Sequence, residues 1–213
     1  MPPDGSRTRE LLLDAAARAF AAEGVDEASL LAITRAAGQR NRAALRYHFG
    51  DRTAVLCAVL ERHVDGLAAR ERELLQVARS RPDDDVASVV EAVVRPAAEL
   101  AESGWRGRCF LVIVADLAQR EPAELPASVQ AQLVRTGGHA VYALLAERIG
   151  PIPQPLLLER QALATAFILR SVSDRARALQ RPSRRGVRRQ LDHDAFVANL
   201  VAMVAAAVCA PHR

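Results

Sequence analysis

Residues 29–52 read SLLAITRAAGQRNRAALRYHFGDR, and the division of this stretch decides the fold. Ser29 can cap a short helix, because its hydroxyl accepts from the free amides of the first turn, and that helix runs to Ala37 with Gly38 as terminator. A second short helix follows over Asn41 to Tyr47 and closes at His48-Phe49-Gly50. Upstream, a longer helix spans Ser6 to Glu23. Its Leu12, Ala16, Ala19 and Phe20 share one face, and Gly24 stands where a left-handed cap is wanted. Two short helices about a glycine turn, braced by a longer one, form a helix-turn-helix. Between Arg35 and Arg52 there are five arginines (Arg35, Arg40, Arg42, Arg46, Arg52) against one acid, Asp51, so positive charge is focused on the second helix of the pair. A helix entering the major groove reads bases with its first residues, which here are Arg40, Asn41 and Arg42. Arginine can donate two bonds to guanine, and asparagine can pair two ways with adenine.

Working outward, proline and glycine cut the remainder into further helical lengths with no strand-like alternation between them. A long helix covers Asp51 to Ser80. Asp83-Asp84-Asp85 caps a helix from Val86 to Ser103, in which Pro96 predicts a kink. Others span Gly107 to Arg120, Ala127 to Ile149 with a weak point at Gly137-Gly138, Pro155 to Leu179, and Asp192 to Cys209. The run Arg181 to Arg189 carries five arginines and no acid, which predicts an exposed loop. Half of the 213 residues are hydrophobic but only 4% aromatic, and mean hydropathy is +0.01. This balance fits a folded all-α protein and hardly a β-sandwich. The expected division is a DNA-reading unit over residues 1–50 and a larger helical unit over 51–213.

Charge and cysteine content exclude more than they assign. The net charge is +4, with 29 basic residues, every one an arginine, against 25 acidic ones. A total so small says little until the arginines are placed. Cys57, Cys109 and Cys209 are odd in number, widely spaced and flanked by apolar residues, and they read as small buried hydrophobes in a reducing compartment. No charged and apolar leader begins the chain, and the apolar run Leu200 to Ala210 is far too short to span a membrane, which gives a cytoplasmic protein as the expectation. No phosphate-binding glycine loop, Gly-x-Ser-x-Gly elbow or His-Glu-x-x-His is present, and His48 has no nucleophile at useful spacing. An enzyme is not expected, nor a metal or other cofactor.

The motif residues also resemble a family. Leu12-Leu13-Asp14-Ala15-Ala16, Phe20, Gly24, Ser29, Ile33, Ala37-Gly38 and Tyr47-His48-Phe49-Gly50-Asp51-Arg52 are similar to the N-terminal signature of TetR-type transcriptional regulators. The resemblance is dense over about the first sixty residues. It implies a homodimeric regulator, a repressor, in which each chain adds a DNA-binding unit to a larger domain that dimerises and holds a small-molecule effector. Arg52 stands where the family commonly has a phosphate-contacting lysine. The recognition segment departs from the commonest pattern by one extra residue between Ala37-Gly38 and His48-Phe49, and the tyrosine directly precedes the histidine. Thr34 replaces a common alanine. This wording resembles a subgroup with AGQRN...YHFG, and it leaves the register of base contacts open by one residue.

The expected DNA-binding set is therefore Ser29, Arg40, Asn41, Arg42, Arg46, Tyr47, His48 and Arg52, with double-stranded operator DNA as partner. Arg35 reads equally as a solvated residue. Tyr47 is assigned to contact and Phe49 to packing, and His63 to a solvated or hinge position. In the larger domain Trp105, Phe110, Val114, Tyr142 and Phe167 are bulky residues among alanines; they read either as plain core or as the wall of a pocket for a largely apolar effector, with His139 or Arg170 fixing its polar end. Leu200, Val201, Val204 and Val208 form a stripe on the last helix that requires a cover, here a symmetry mate. The competing reading is a ligand-binding helical protein of the same fold that does not read DNA.

Overall fold

The computed structural model describes residues 4–41, 43–136, 138–180 and 190–211. Ten α-helices are present among them: α1 (Asp4–Glu23), α2 (Leu30–Ala36), α3 (Ala44–Phe49), α4 (Arg52–Arg79), α5 (Val86–Glu102), α6 (Trp105–Leu117), α7 (Ala127–Val134), α8 (Gly138–Ile149), α9 (Gln154–Gln180) and α10 (His193–Val208). A single 3-10 turn, Pro122–Glu124, precedes α7. The all-α expectation holds, with no strand among the described residues.

The starts of the helices follow from local chemistry. Ser29, Asp51, Asp85 and Asp192 each accept a hydrogen bond from the amide three residues on, at 3.3, 2.8, 3.0 and 2.8 Å, which satisfies one of the free donors of a first turn. Only Asp85 of the acidic triplet does this for α5. The α5 helix runs on unbroken through the buried Pro96. The weak point inside the predicted Ala127–Ile149 helix is a full interruption that separates α7 from α8. The Arg181 to Arg189 run lies outside the described residues.

The first three helices close on Leu12, Ala16, Phe20, Ile33, Ala37 and Leu45, all buried, and α1 also packs on α4 and α6. Beyond them α5 is the central post, in contact with α4, α6, α8, α9 and α10. The approach of α6 to α5 requires Gly107: a Cβ there would sit 2.3 Å from the carbonyl oxygen of Leu100. Arg148 of α8 donates to the carbonyl oxygens of Asp85 (2.6 Å) and Ala78 and to Ser88 Oγ (3.0 Å), tying the end of α4 to the start of α5.

Three expectations are corrected here. Leu200, Val201, Val204 and Val208 are buried inside the chain, with Val204 only 1% exposed. Their cover is α5 and α9 of the same chain, against which α10 packs. Cys209 is exposed beyond the end of α10, while Cys109 is buried and Cys57 half-buried. His63 is half-buried rather than solvated, its ring 5.3 Å from that of Phe110, and burial, then the nearby Arg62 and Arg106, lowers its pKa.

Candidate nucleic-acid interface

Between α2 and α3 the chain turns through Gly38, whose φ of 72° lies in the left-handed region that favours glycine. Asn41 does not open the second helix as the spacing suggests. Its Oδ1 accepts from Ala43 N at 2.9 Å, a local turn that competes with helix formation, and α3 begins only at Ala44. Arg40 and Asn41 are therefore exposed turn residues that precede the helix. On α3 itself Ala44 and Leu45 face inward, Arg46 and Tyr47 outward. Tyr47 is 85% exposed, too much for any packing role, and its ring meets only the edge of His48 at 5.1 Å. Phe49 is half-buried against the core, with the Arg9 guanidinium 5.0 Å from its ring centroid. Arg42 lies outside the described residues. In α2 the buried Thr34 donates its hydroxyl to the carbonyl of Leu30 at 2.8 Å, which explains how a polar residue is held at that position.

Many arginines of the helical body are neutralised, although Arg72, Arg79, Arg81 and Arg177 are exposed without an ion pair among the described residues. Arg62, Arg70, Arg95, Arg106, Arg120, Arg135, Arg170 and Arg175 are ion-paired to carboxylates. Arg35, Arg40 and Arg46 are exposed and form no ion pair with any described carboxylate. Unneutralised guanidinium groups beside an exposed Tyr47 are what a polyanion would meet. Arg52 differs from these three. It points inward, donating to the carbonyl oxygens of Val25 (2.5 Å) and Ala28 (2.7 Å), and so locks the turn before α2 to the first residue of α4. The cap at Ser29 sets where α2 begins, and its hydroxyl is engaged with Ala32 N.

A second cluster, which the sequence did not single out, joins this unit to the rest. Asp14 of α1 accepts from Arg106 of α6 (2.9 and 2.6 Å) and from Arg62 of α4 (2.8 Å). These guanidinium groups, Arg106 foremost, hold its carboxyl below the usual carboxylate range. The Arg18 guanidinium stacks 3.9 Å from the centroid of Trp105, at the start of α6, with Arg106 5.0 Å from the same ring. Past the other end of α6, Arg120 donates to Asp26 at 2.6 Å. The α6 helix is thus latched to the helix-turn-helix unit at both ends.

The residues expected to line one effector pocket are not brought together. Trp105 belongs to this latch. Phe110 and Val114 are buried core, and His139 and Arg170 are exposed, the latter paired with Asp174. Phe167 lines a groove of about 340 Å³ between α9 and α10 with Phe196, Leu200 and Met203, whereas Arg170 lines a different groove against the end of α6. Tyr142 reaches from α8 to α9, where its hydroxyl bonds Thr165. Nearby on α4 stands Glu71, which the sequence reading passed over. The spacing Val64, Ala68, Glu71, Leu75, Ala78 puts that acid on an apolar helical stripe, a signal that was present in the sequence.

Among the described residues no group of histidine, cysteine and carboxylate side chains could hold a metal ion, and no helix is long and apolar enough to cross a membrane. No curated protein sequence matches the chain. Residues 12–59 match the model of the bacterial regulatory proteins of the tetR family. Solved structures with the same fold include PfmR, a TetR family transcriptional regulator from Thermus thermophilus, at 17% identity and TM-score 0.59, with 95% of this chain and 99% of that one covered. The fatty acid degradation regulator FadR from Bacillus halodurans is similar at 16% identity and TM-score 0.60, with 97% of each chain covered. AibR, solved in complex with isovaleryl coenzyme A and operator DNA, is similar at 15% identity and TM-score 0.58, with 92% of this chain and 97% of that one covered. Residues 12–59 thus match the tetR family model and are folded as a helix-turn-helix, in a chain whose overall fold is that of solved TetR-family regulators.

Proposed function

We propose that the chain is a one-component transcriptional repressor that binds a palindromic operator as a homodimer and is released from it by a small-molecule effector. The observation that carries this reading is the concentration of unneutralised charge on the helix-turn-helix: residues 28–50 hold four arginines and no acid, and Arg35, Arg40 and Arg46 are exposed without an ion pair to any described carboxylate. In this reading Arg40 and Asn41 read base edges from the turn, Arg42 is a third base reader, and Arg46 and Tyr47 stand on α3. His48 contributes at the phosphate backbone, and the start of α2 at Ser29 offers free amides to a phosphate. Arg52 acts indirectly, by fixing the turn on which α2 is set.

The homodimer uses the outward faces of α9 and α10. Ala162, Leu163, Ala166 and Phe167 on α9, and Ala198, Ala202, Met203 and Ala206 on α10, are exposed, and α10 carries no charge after Asp194. An uncharged face of this extent on two neighbouring helices fits a subunit interface. The effector enters the helical body. The similar regulator AibR, solved with both an acyl coenzyme A and its operator, supports the pairing of the two activities on this fold. Selection of bound sequences from random duplex DNA tests the reading. Recovery of an inverted repeat supports it, and equal retention of all sequences at moderate salt overturns it.

A further inference from the structure

Glu71 sits in the second half of α4 with 5% of its surface exposed. Its Oε2 is sealed from solvent and has no hydrogen-bond partner among the described residues. A carboxylate so placed is costly unless something satisfies it, and buried polar groups in folded proteins are nearly always paired. Beyond its first turns α4 is packed by α5, α6, α7 and α8. The buried residues on α5, α7 and α8 are all apolar. No charged group among the described residues acts on Glu71, whose pKa is pushed up to about 8 by burial. Among the described residues it acts on the Tyr142 phenol, which burial and Glu71 both push upward and whose hydroxyl is already engaged with Thr165. Tyr142 is held in place from α9 by Gln161, which donates to its carbonyl oxygen at 3.1 Å. Glu71 is thus an unsatisfied acceptor in a part of the fold whose buried residues on α5, α7 and α8 are apolar, with the Tyr142 ring close by.

We propose that Glu71 is the polar anchor of the effector site and selects an organic cation, a protonated amine on an apolar body, with the Tyr142 ring alongside the charge. The proposal rests on the effector-responsive reading above. An ammonium group supplies the donors that Oε2 lacks, and its charge favours the carboxylate form. Glu71 then gives its proton to solvent as the amine binds, so binding is linked to the release of one proton. The remainder of the ligand would meet the apolar buried residues of α5, α7 and α8.

Thermal unfolding of the full chain with three matched probes, 3-phenylpropylamine, 3-phenylpropanol and 3-phenylpropanoate, is the test. Only the amine should raise the melting temperature. Its affinity should rise about tenfold per pH unit from pH 6 to about 8 and then level off. Glu71→Gln, which keeps the shape and removes the charge, should abolish both the preference for amine and the pH dependence. If that variant does not melt cooperatively, the wild-type pH profile decides alone. Equal stabilisation by the alcohol or the acid, or undiminished amine binding by Glu71→Gln, overturns the anchor while leaving effector control standing. Silence from all three probes at millimolar concentration also overturns it. Effector control itself fails only if no compound of any charge releases the selected operator duplex.

Discussion

Arg46 and Arg52 lie on either side of Gly50 and face opposite ways. Arg46 is exposed and unpaired, so Arg46→Ala should leave the melting temperature unchanged and lower the slope of log affinity against log salt by about 1 per half-site, read by anisotropy on the selected duplex. Arg52→Ala should instead cost about 1–3 kcal/mol of stability, because the carbonyl oxygens of Val25 and Ala28 lose a charged donor. Chemical denaturation separates the two outcomes. Glu71 makes a different prediction. In the unfolded chain its carboxyl releases the proton near pH 4.5, whereas in the fold it does so only near 8. Across that window the unfolded state binds fewer protons, so stability falls as pH rises, by at most about 1.4 kcal/mol per unit, and is level above it. Glu71→Gln should remove that decline in a series of denaturant titrations. The inward turn of Arg52 could not be read from the sequence, since its acceptors are backbone atoms 24 and 27 residues away. Asn41 was misplaced for a related reason. The same side-chain oxygen can cap a helix or close a turn one step before it, and only the geometry at Ala43 tells which.

Among the helices, α10 shows where periodicity ends as a guide. From Ala195 to Ala210 it carries no charge, so every face is apolar enough to be an interface, and the stripe with the largest side chains went to the chain's own core. The outward face is smoother and made mostly of alanine around Met203, which is 50% exposed. Met203→Arg should therefore give folded monomers by light scattering. Val204→Arg should unfold the chain, since a guanidinium would be forced into the contact with α5 and α9. The α1 to α4 order and its caps were legible because Ser29 and Asp51 use local chemistry alone. The role of α6 was not. The long α4 is not the sole link between the first three helices and the rest: α6 is fastened to α1 through Asp14 and Arg106 and to the turn after α1 through Arg120 and Asp26. A double-mutant cycle on Asp14→Asn and Arg106→Gln should give about 0.5–1 kcal/mol of coupling, reduced by the solvent exposure of Arg106. The same variants should weaken the dependence of operator binding on effector more than operator binding itself.

Over the whole molecule the buried apolar residues form one continuous cluster from Leu12 in α1 to Val208 in α10. The boundary expected at residue 50 is covalently simple but mechanically joined. Melting followed by helical circular dichroism and by near-ultraviolet signal should coincide in a single transition, and a separate early transition of the first fifty residues would contradict this. The composition foretold an all-helical body, but the clasp between its halves depends on pairs such as Asp14 and Arg106, which stand 92 residues apart and match no local pattern. Trp105 is the only tryptophan in the chain, and it lies in that clasp with Arg18 over one side of its ring and Arg106 close by. Indole emission is sensitive to charge held near the ring, so the protein carries its own optical gauge of whether the clasp is shut. No label has to be introduced: a shift in emission wavelength on adding operator or effector would time the parting of the halves, and Arg18→Ala would supply the reference spectrum of the open state.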